Sequence, residues 1–204
     1  MKVTGEYVFD APREQVWKGL LDPEVLAATM PGCEKLELVG ENQYEGVLDI
    51  RVGPVQGKFQ GKVKLSDLDP PNGYTMQVDG QGAPGFVKAT ARIGIAAEGE
   101  KTKLSYDGDA QVGGRIASVG QRLLDSSAKS IIKQSLEGLN DTLTARAAAA
   151  AGGAEEEAAA VRAPSQAEFA ARVAKDVAAD LVPKPVRIAA IVVLVLIVLY
   201  FLLR

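Results

Sequence analysis

Hydrophobic and polar positions alternate along most of the first 112 residues, and the alternation changes period at three places. "VTGEYVFD" alternates like a strand, and Asp10 is placed to cap a short helix over "APREQVWKGLLD" with Val16, Trp17, Leu20 and Leu21 on its buried face. Asp22-Pro23 ends that helix and starts a second, "PEVLAATM", which stops at "PGC". Six strand-like stretches follow: "KLELVG", "QYEGVLDIRV", "QGKFQGKVKLSD", "YTMQVDGQG", "FVKATARIGIAAEG" and "TKLSYDGDAQV", with hairpin connections such as "GEN", "DPPNG" and "EGEK". The period then lengthens. Ile116, Val119, Leu123, Leu124, Ile131, Ile132, Leu136, Leu139 and Leu143 keep one apolar stripe and predict a long helix from Ile116 to about Leu143. A sheet with one apolar face needs a cover, and this helix is the available one. The expected fold is α+β, a helix-grip in which a curved antiparallel sheet wraps a long C-terminal helix.

Beyond that domain (residues 1–143) the composition shifts. Residues 144–164, "TARAAAAAGGAEEEAAAVRAP", read as an Ala/Glu-rich linker or as a short Ala-rich helix broken at Gly152 and Gly153. Residues 165–182 open with a capping box, Ser165 and Glu168, and repeat Phe169, Val173, Val177 and Leu181 at four-residue spacing, an amphipathic helix. Residues 186–204 are almost wholly apolar. From Ile188 to Leu203 a helix would rise about 24 Å, somewhat short of the bilayer core, with Arg187 and Arg204 flanking it. The expectation is a single-pass C-terminal transmembrane anchor in the cell membrane, with the domain facing the cytoplasm.

Picking out the inward residues of each strand gives Gly57, Phe59, Gly61, Val63 and Leu65; Tyr74, Met76, Val78 and Gly80; Val87, Ala89, Ala91, Ile93, Ile95 and Ala97; and Leu104, Tyr106, Gly108, Ala110 and Val112. Many are Gly or Ala, where a sheet packed solidly on a helix would carry larger residues. Two explanations stay open. The glycines let the sheet coil, or they leave an apolar cavity between sheet and helix for a hydrophobic guest. A lining inferred from alternation and period comprises Met30, Phe59, Met76, Val78, Ala91, Ile93, Tyr106 and Gly108, with Leu123, Leu124, Ser127 and Ile131 from the helix; Met30 stands where the second short helix would gate it.

Composition narrows the chemistry. The chain of 204 residues has no histidine and one cysteine, so it builds no Ser-His-Asp triad, no Cys-His dyad, no His-based zinc site and no intrachain disulfide. A net charge of −3 gives no reason to expect nucleic acid as a partner. No catalytic or metal-binding residues are assigned, and a non-enzymatic protein is expected.

Three stretches, "FDAPREQVWKGLLDPEVLAATMPGCEKLE", "GPVQGKFQGKVKLSDLDPPNGYTMQVDGQG" and "YDGDAQVGGRIASVGQRLLDSSAKSIIKQSLEGL", together resemble the CoxG family, the G subunits of carbon monoxide dehydrogenase, in the START-like, or SRPBCC, superfamily. The resemblance runs over roughly residues 1–143 and is most specific at Asp22–Cys33 and Gly53–Phe59; the linker and apolar tail are similar to extensions of some members only. It implies an accessory protein of a molybdenum carbon monoxide dehydrogenase rather than the oxidising complex itself, whose flavin and iron–sulfur centres this chain has no residues to hold. Combined with the apolar inward face, it leads to the expectation of a bound respiratory quinone, menaquinone in particular, with membrane lipid as a further partner and Ser127 hydrogen-bonded to a quinone carbonyl. The alternatives are a membrane-recruitment scaffold without ligand and, weakest, a small enzyme.

Overall fold

In the computed structural model, which describes residues 1–152, the predicted strands form one antiparallel sheet of seven. They are β1 (Lys2–Phe9), β2 (Cys33–Gly40), β3 (Gln43–Val52), β4 (Val55–Asp69), β5 (Gly73–Gly82), β6 (Gly85–Glu98) and β7 (Lys101–Gly113). Strands β2 to β7 run as a meander, and β1 returns beside β7, giving the order β1-β7-β6-β5-β4-β3-β2. Between β1 and β2 lie α1 (Arg13–Leu21) and α2 (Pro23–Thr29); after β7 comes a 3-10 turn (Arg115–Val119) and then α3 (Gln121–Gly152).

Local sequence explains most of these boundaries. Asp22 is the N-cap of α2 and accepts hydrogen bonds from the backbone N–H of Glu24 and Val25, with Pro23 in the first turn, where its missing N–H costs nothing. Asp10 does not cap α1 as expected. Pro12 occupies the N-cap, while the Asp10 carboxylate pairs with Lys101 at 2.7 Å and its backbone N–H donates to Asn140 at 2.8 Å, tying β1 to α3. The long helix also begins later than its apolar stripe does. Gly120 at φ 91° interrupts the pattern, so Ile116 and Val119 sit on the 3-10 turn and α3 starts at Gln121. At its other end α3 continues to Gly152, so residues 144–152 of the expected linker extend the helix, as Ala-rich sequence favours.

Two buried apolar clusters hold helix and sheet together. The larger joins Phe9, Val16, Val25, Tyr44, Leu65, Tyr74, Ile93, Ile95 and Leu104 to Leu139 and Leu143 of α3. Here α1 approaches closely, because a methyl group on Gly19 would stand 3.0 Å from Leu139. The smaller cluster, Val52, Phe59 and Ile116, packs against Leu123 and Leu124 at the start of α3. Alternation identified the inward face correctly except at Ala97, which is exposed.

Among the described residues no helix is long and apolar enough to cross a membrane. The remainder of the linker beyond Gly152, the amphipathic helix at 165–182 and the apolar span at 186–204 lie outside the described residues.

Candidate ligand-binding site

The two clusters grip α3 near its start and past its middle, and between them the sheet offers little bulk. β4, β5, β6 and β7 place Gly61, Val63, Met76, Val78, Ala89, Ala91 and Tyr106 on the inward face, all half-buried. Gly61 stands opposite Gly80 in the β4–β5 register and opposite Gly46 in the β3–β4 register, so three glycines share one row across the sheet. A methyl group built on Gly61 would meet no atom within 4 Å, and one on Gly80 only the Val87 carbonyl oxygen at 3.7 Å. Close-packed interiors leave no such latitude. Gly46, at the end of the row, is closed off, because a methyl group there would lie 2.7 Å from the Lys35 carbonyl oxygen; the open positions are Gly61 and Gly80, on the side of the sheet that faces the helix.

The sequence-predicted lining divides accordingly. Phe59 is buried in the smaller cluster with Leu123 and Leu124 against it, and Ile93 is buried in the larger one; these residues wall the two ends. Met76, Ala91 and Tyr106 pack half-buried on the larger cluster, while Val78 and Ile131 are half-buried and belong to neither. Met30, the C-cap of α2, is half-buried between the buried Thr29 and Pro31. Gly108 differs from the expectation of spare room: a methyl group there would lie 2.8 Å from both Ala91 Cβ and the Thr90 carbonyl oxygen, so its lack of a side chain serves strand packing. Sequence alone passes over Gly61 and Gly80 as lining, although both stand in the inward set. It also passes over Ser130 and Gln134, two buried polar residues of α3.

On α3, Ser127 is 1% exposed and its hydroxyl has no hydrogen-bond partner. Gln134 donates from Nε2 to Ser130 Oγ at 2.9 Å, and its Oε1 is unpartnered. Tyrosines ring the same interior. Burial pushes the phenols of Tyr74, Tyr44 and Tyr106 up, Tyr44 being raised further by Asp22; Tyr7 is raised by burial and then by Glu137, Asp141 and Asp10. These phenols stay protonated near neutrality, so they act as donors and none is a ready base. Tyr44 uses its proton on the Leu21 carbonyl at 3.0 Å. Among the described residues no group of three His, Cys, Asp or Glu side chains is placed to hold a metal ion.

The outer face has a different character. A depression of about 580 Å³ there is bordered by Lys62, Lys64, Gln77, Asp79, Lys88 and Thr90, but its charges are largely matched, Lys62 with Glu45 at 2.8 Å and Lys88 with Asp79 at 3.4 Å. A surface of paired charges offers no strong field for an ionic ligand. The apolar side is the one facing α3, and Gly61 opens onto it.

Comparison with known proteins agrees with this architecture. A conserved protein from Geobacillus kaustophilus of known crystal structure is similar at 34% identity and a TM-score of 0.69, over 72% of this chain and 97% of that one. A START superfamily protein from Mycobacterium smegmatis shares the fold at 15% identity and a TM-score of 0.56, over 71% of this chain and 97% of that one. The protein TTHA0849 from Thermus thermophilus does so at 16% identity and 0.56, over 71% and 98%. No curated protein matches the chain in sequence. The profile of the carbon monoxide dehydrogenase G subunit (CoxG) matches residues 5–144, the sheet from within β1 onward and the gripped part of α3, and the chain belongs to the CoxG family.

Proposed function

We propose that this protein is a membrane-tethered carrier of a respiratory quinone, menaquinone in particular, serving a molybdenum carbon monoxide dehydrogenase. The observation that carries the reading is the glycine row at Gly61 and Gly80, which borders open space between two apolar clusters. Membership of the CoxG family connects it to that dehydrogenase as an accessory rather than a catalytic subunit. A soluble dehydrogenase holds its electrons in water, whereas an isoprenoid quinone is dissolved in lipid. Bringing a polyprenyl tail into water is unfavourable by about 25 cal/mol per Å² of apolar surface, so a protein that mediates the exchange must cover that surface. Half-buried Val63, Met76, Val78, Ala89 and Ala91 supply an apolar cover, with Phe59 and Ile93 behind them. The apolar segment at 186–204 would keep the domain at the bilayer where the quinone resides.

The test is a lipid extract of the full chain, purified in mild detergent from a quinone-containing host. Quinone at close to one molecule per chain is expected. Protein that is folded, binds the dehydrogenase and carries no quinone would leave a recruitment scaffold as the function.

A further inference from the structure

The polar residues of α3 are out of place in an apolar interior. Ser127, Ser130 and Gln134 are 1%, 4% and 6% exposed. Ser127 follows Leu124 by three residues and Leu123 by four, and both leucines pack on Val52, Phe59 and Ile116, so Ser127 shares their side of the helix. Gln134 lies two turns further along the same side, and its amide reaches back one turn to Ser130. The Ser127 hydroxyl and the Gln134 amide oxygen therefore flank the stretch of α3 between its two anchoring clusters. Both are without partners, and buried polar atoms are nearly always satisfied.

The two atoms differ in what they can do. A serine hydroxyl donates one hydrogen bond and also accepts; an amide oxygen only accepts. We propose that Ser127 and Gln134 form a donor–acceptor pair that holds a ring oxygen of the ligand in both of its oxidation states. This rests on the quinone reading above. A quinone oxygen is a carbonyl and needs a donor, which is Ser127 Oγ–H. After gaining two electrons and two protons at the partner enzyme, the same oxygen is a hydroxyl, which still accepts from Ser127 Oγ–H and now also donates, to Gln134 Oε1. The carrier itself transfers no electron; it recognises both the form it delivers and the form it takes away. The bond from Gln134 Nε2 to Ser130 Oγ engages the amide nitrogen and leaves the oxygen as the atom without a partner.

The experiment is anaerobic calorimetric titration of the full chain in mild detergent with a menaquinone analogue carrying two isoprene units, and with its dithionite-reduced hydroquinone. Squalene, a tail without a head, is the control. Wild type is expected to bind both forms with Kd values within about threefold of each other. Loss of one hydrogen bond corresponds to about a tenfold change. Gln134→Leu should therefore weaken the hydroquinone about tenfold and leave the quinone and squalene within about twofold, and Ser127→Ala should weaken the quinone about tenfold. Gln134→Leu affecting both forms equally, or neither, overturns the pairing. Wild type that binds neither form fails at the earlier step and overturns the quinone reading itself, and the pairing with it.

Discussion

Replacing Gly61 with leucine tests the interior directly, because the structure assigns that position a specific magnitude. Its added Cβ meets nothing within 4 Å, so the side chain starts into open space without pressing on the backbone. Glycine in a strand is less favourable than most residues by about 0.5–1 kcal/mol, and burying a leucine contributes about 1.5–3 kcal/mol where it finds apolar contact. The variant should be at least as stable as wild type, with a melting temperature unchanged or raised by a few degrees, at roughly 2–4 °C per kcal/mol for a domain of this size. Its ligand should suffer. If the leucine excludes roughly 100 Å² of guest surface, the loss is about 2.5 kcal/mol, or nearly a hundredfold in affinity. Gly108→Leu is the matched control, since its Cβ would press on Ala91 and the Thr90 carbonyl at 2.8 Å and should destabilise the sheet. The assay combines thermal melts followed by circular dichroism with quinone content by chromatography of lipid extracts. A Gly61→Leu protein that melts more than about 6 °C lower, at 2–4 °C per kcal/mol, would show the space to be filled, and wild-type quinone content would refute the carrier reading.

Two further outcomes are expected. Burial raises the Tyr74 phenol above its ordinary value, so the unfolded chain loses that proton first as pH climbs through about 10; the stabilisation is fully present below that pH and falls above it. Tyr74→Phe should flatten the decline in melting temperature between about pH 9.5 and 11.5, and an unchanged slope would assign the decline to other groups. Deleting residues from 184 onward should move the domain from the membrane pellet to the supernatant in cell fractionation; a truncated protein that still sediments would place the attachment elsewhere.

Alternation made the inward face legible because one side of β4 to β7 turns toward the interior and the other meets water. Ala97 escapes the rule because it lies near the far end of β6, where the inward side is left exposed. The glycines cannot be sorted by sequence. Gly108 and Gly61 occupy equivalent places in the pattern, yet one is pressed by a neighbouring strand and the other faces space, a difference set by how the strands approach each other. Asp10 misleads because an acidic residue before a helix resembles a cap, whereas Lys101 and Asn140, distant in sequence, claim it in the fold. Ser130 and Gln134 look like ordinary interruptions of an apolar stripe. The seven-residue spacing from Ser127 to Gln134 is visible in the sequence, but their burial is a property of the tertiary packing.

The length of α3 has a mechanical consequence. Its last core residue is Leu143, and the Arg146 pairing with Asp22 at 3.8 Å is a further attachment to the body of the domain one turn later. From there to Gly152 the helix projects as a short rod of about 9 Å, built almost entirely of alanine, the residue that holds a helix best without help from neighbours. The domain therefore carries its own stalk. The direction of the stalk is set by the same helix that covers the apolar face of the sheet. A shift of α3 to admit or release a guest would swing the stalk with it, converting a change in occupancy into a change in how the domain is presented to its surroundings.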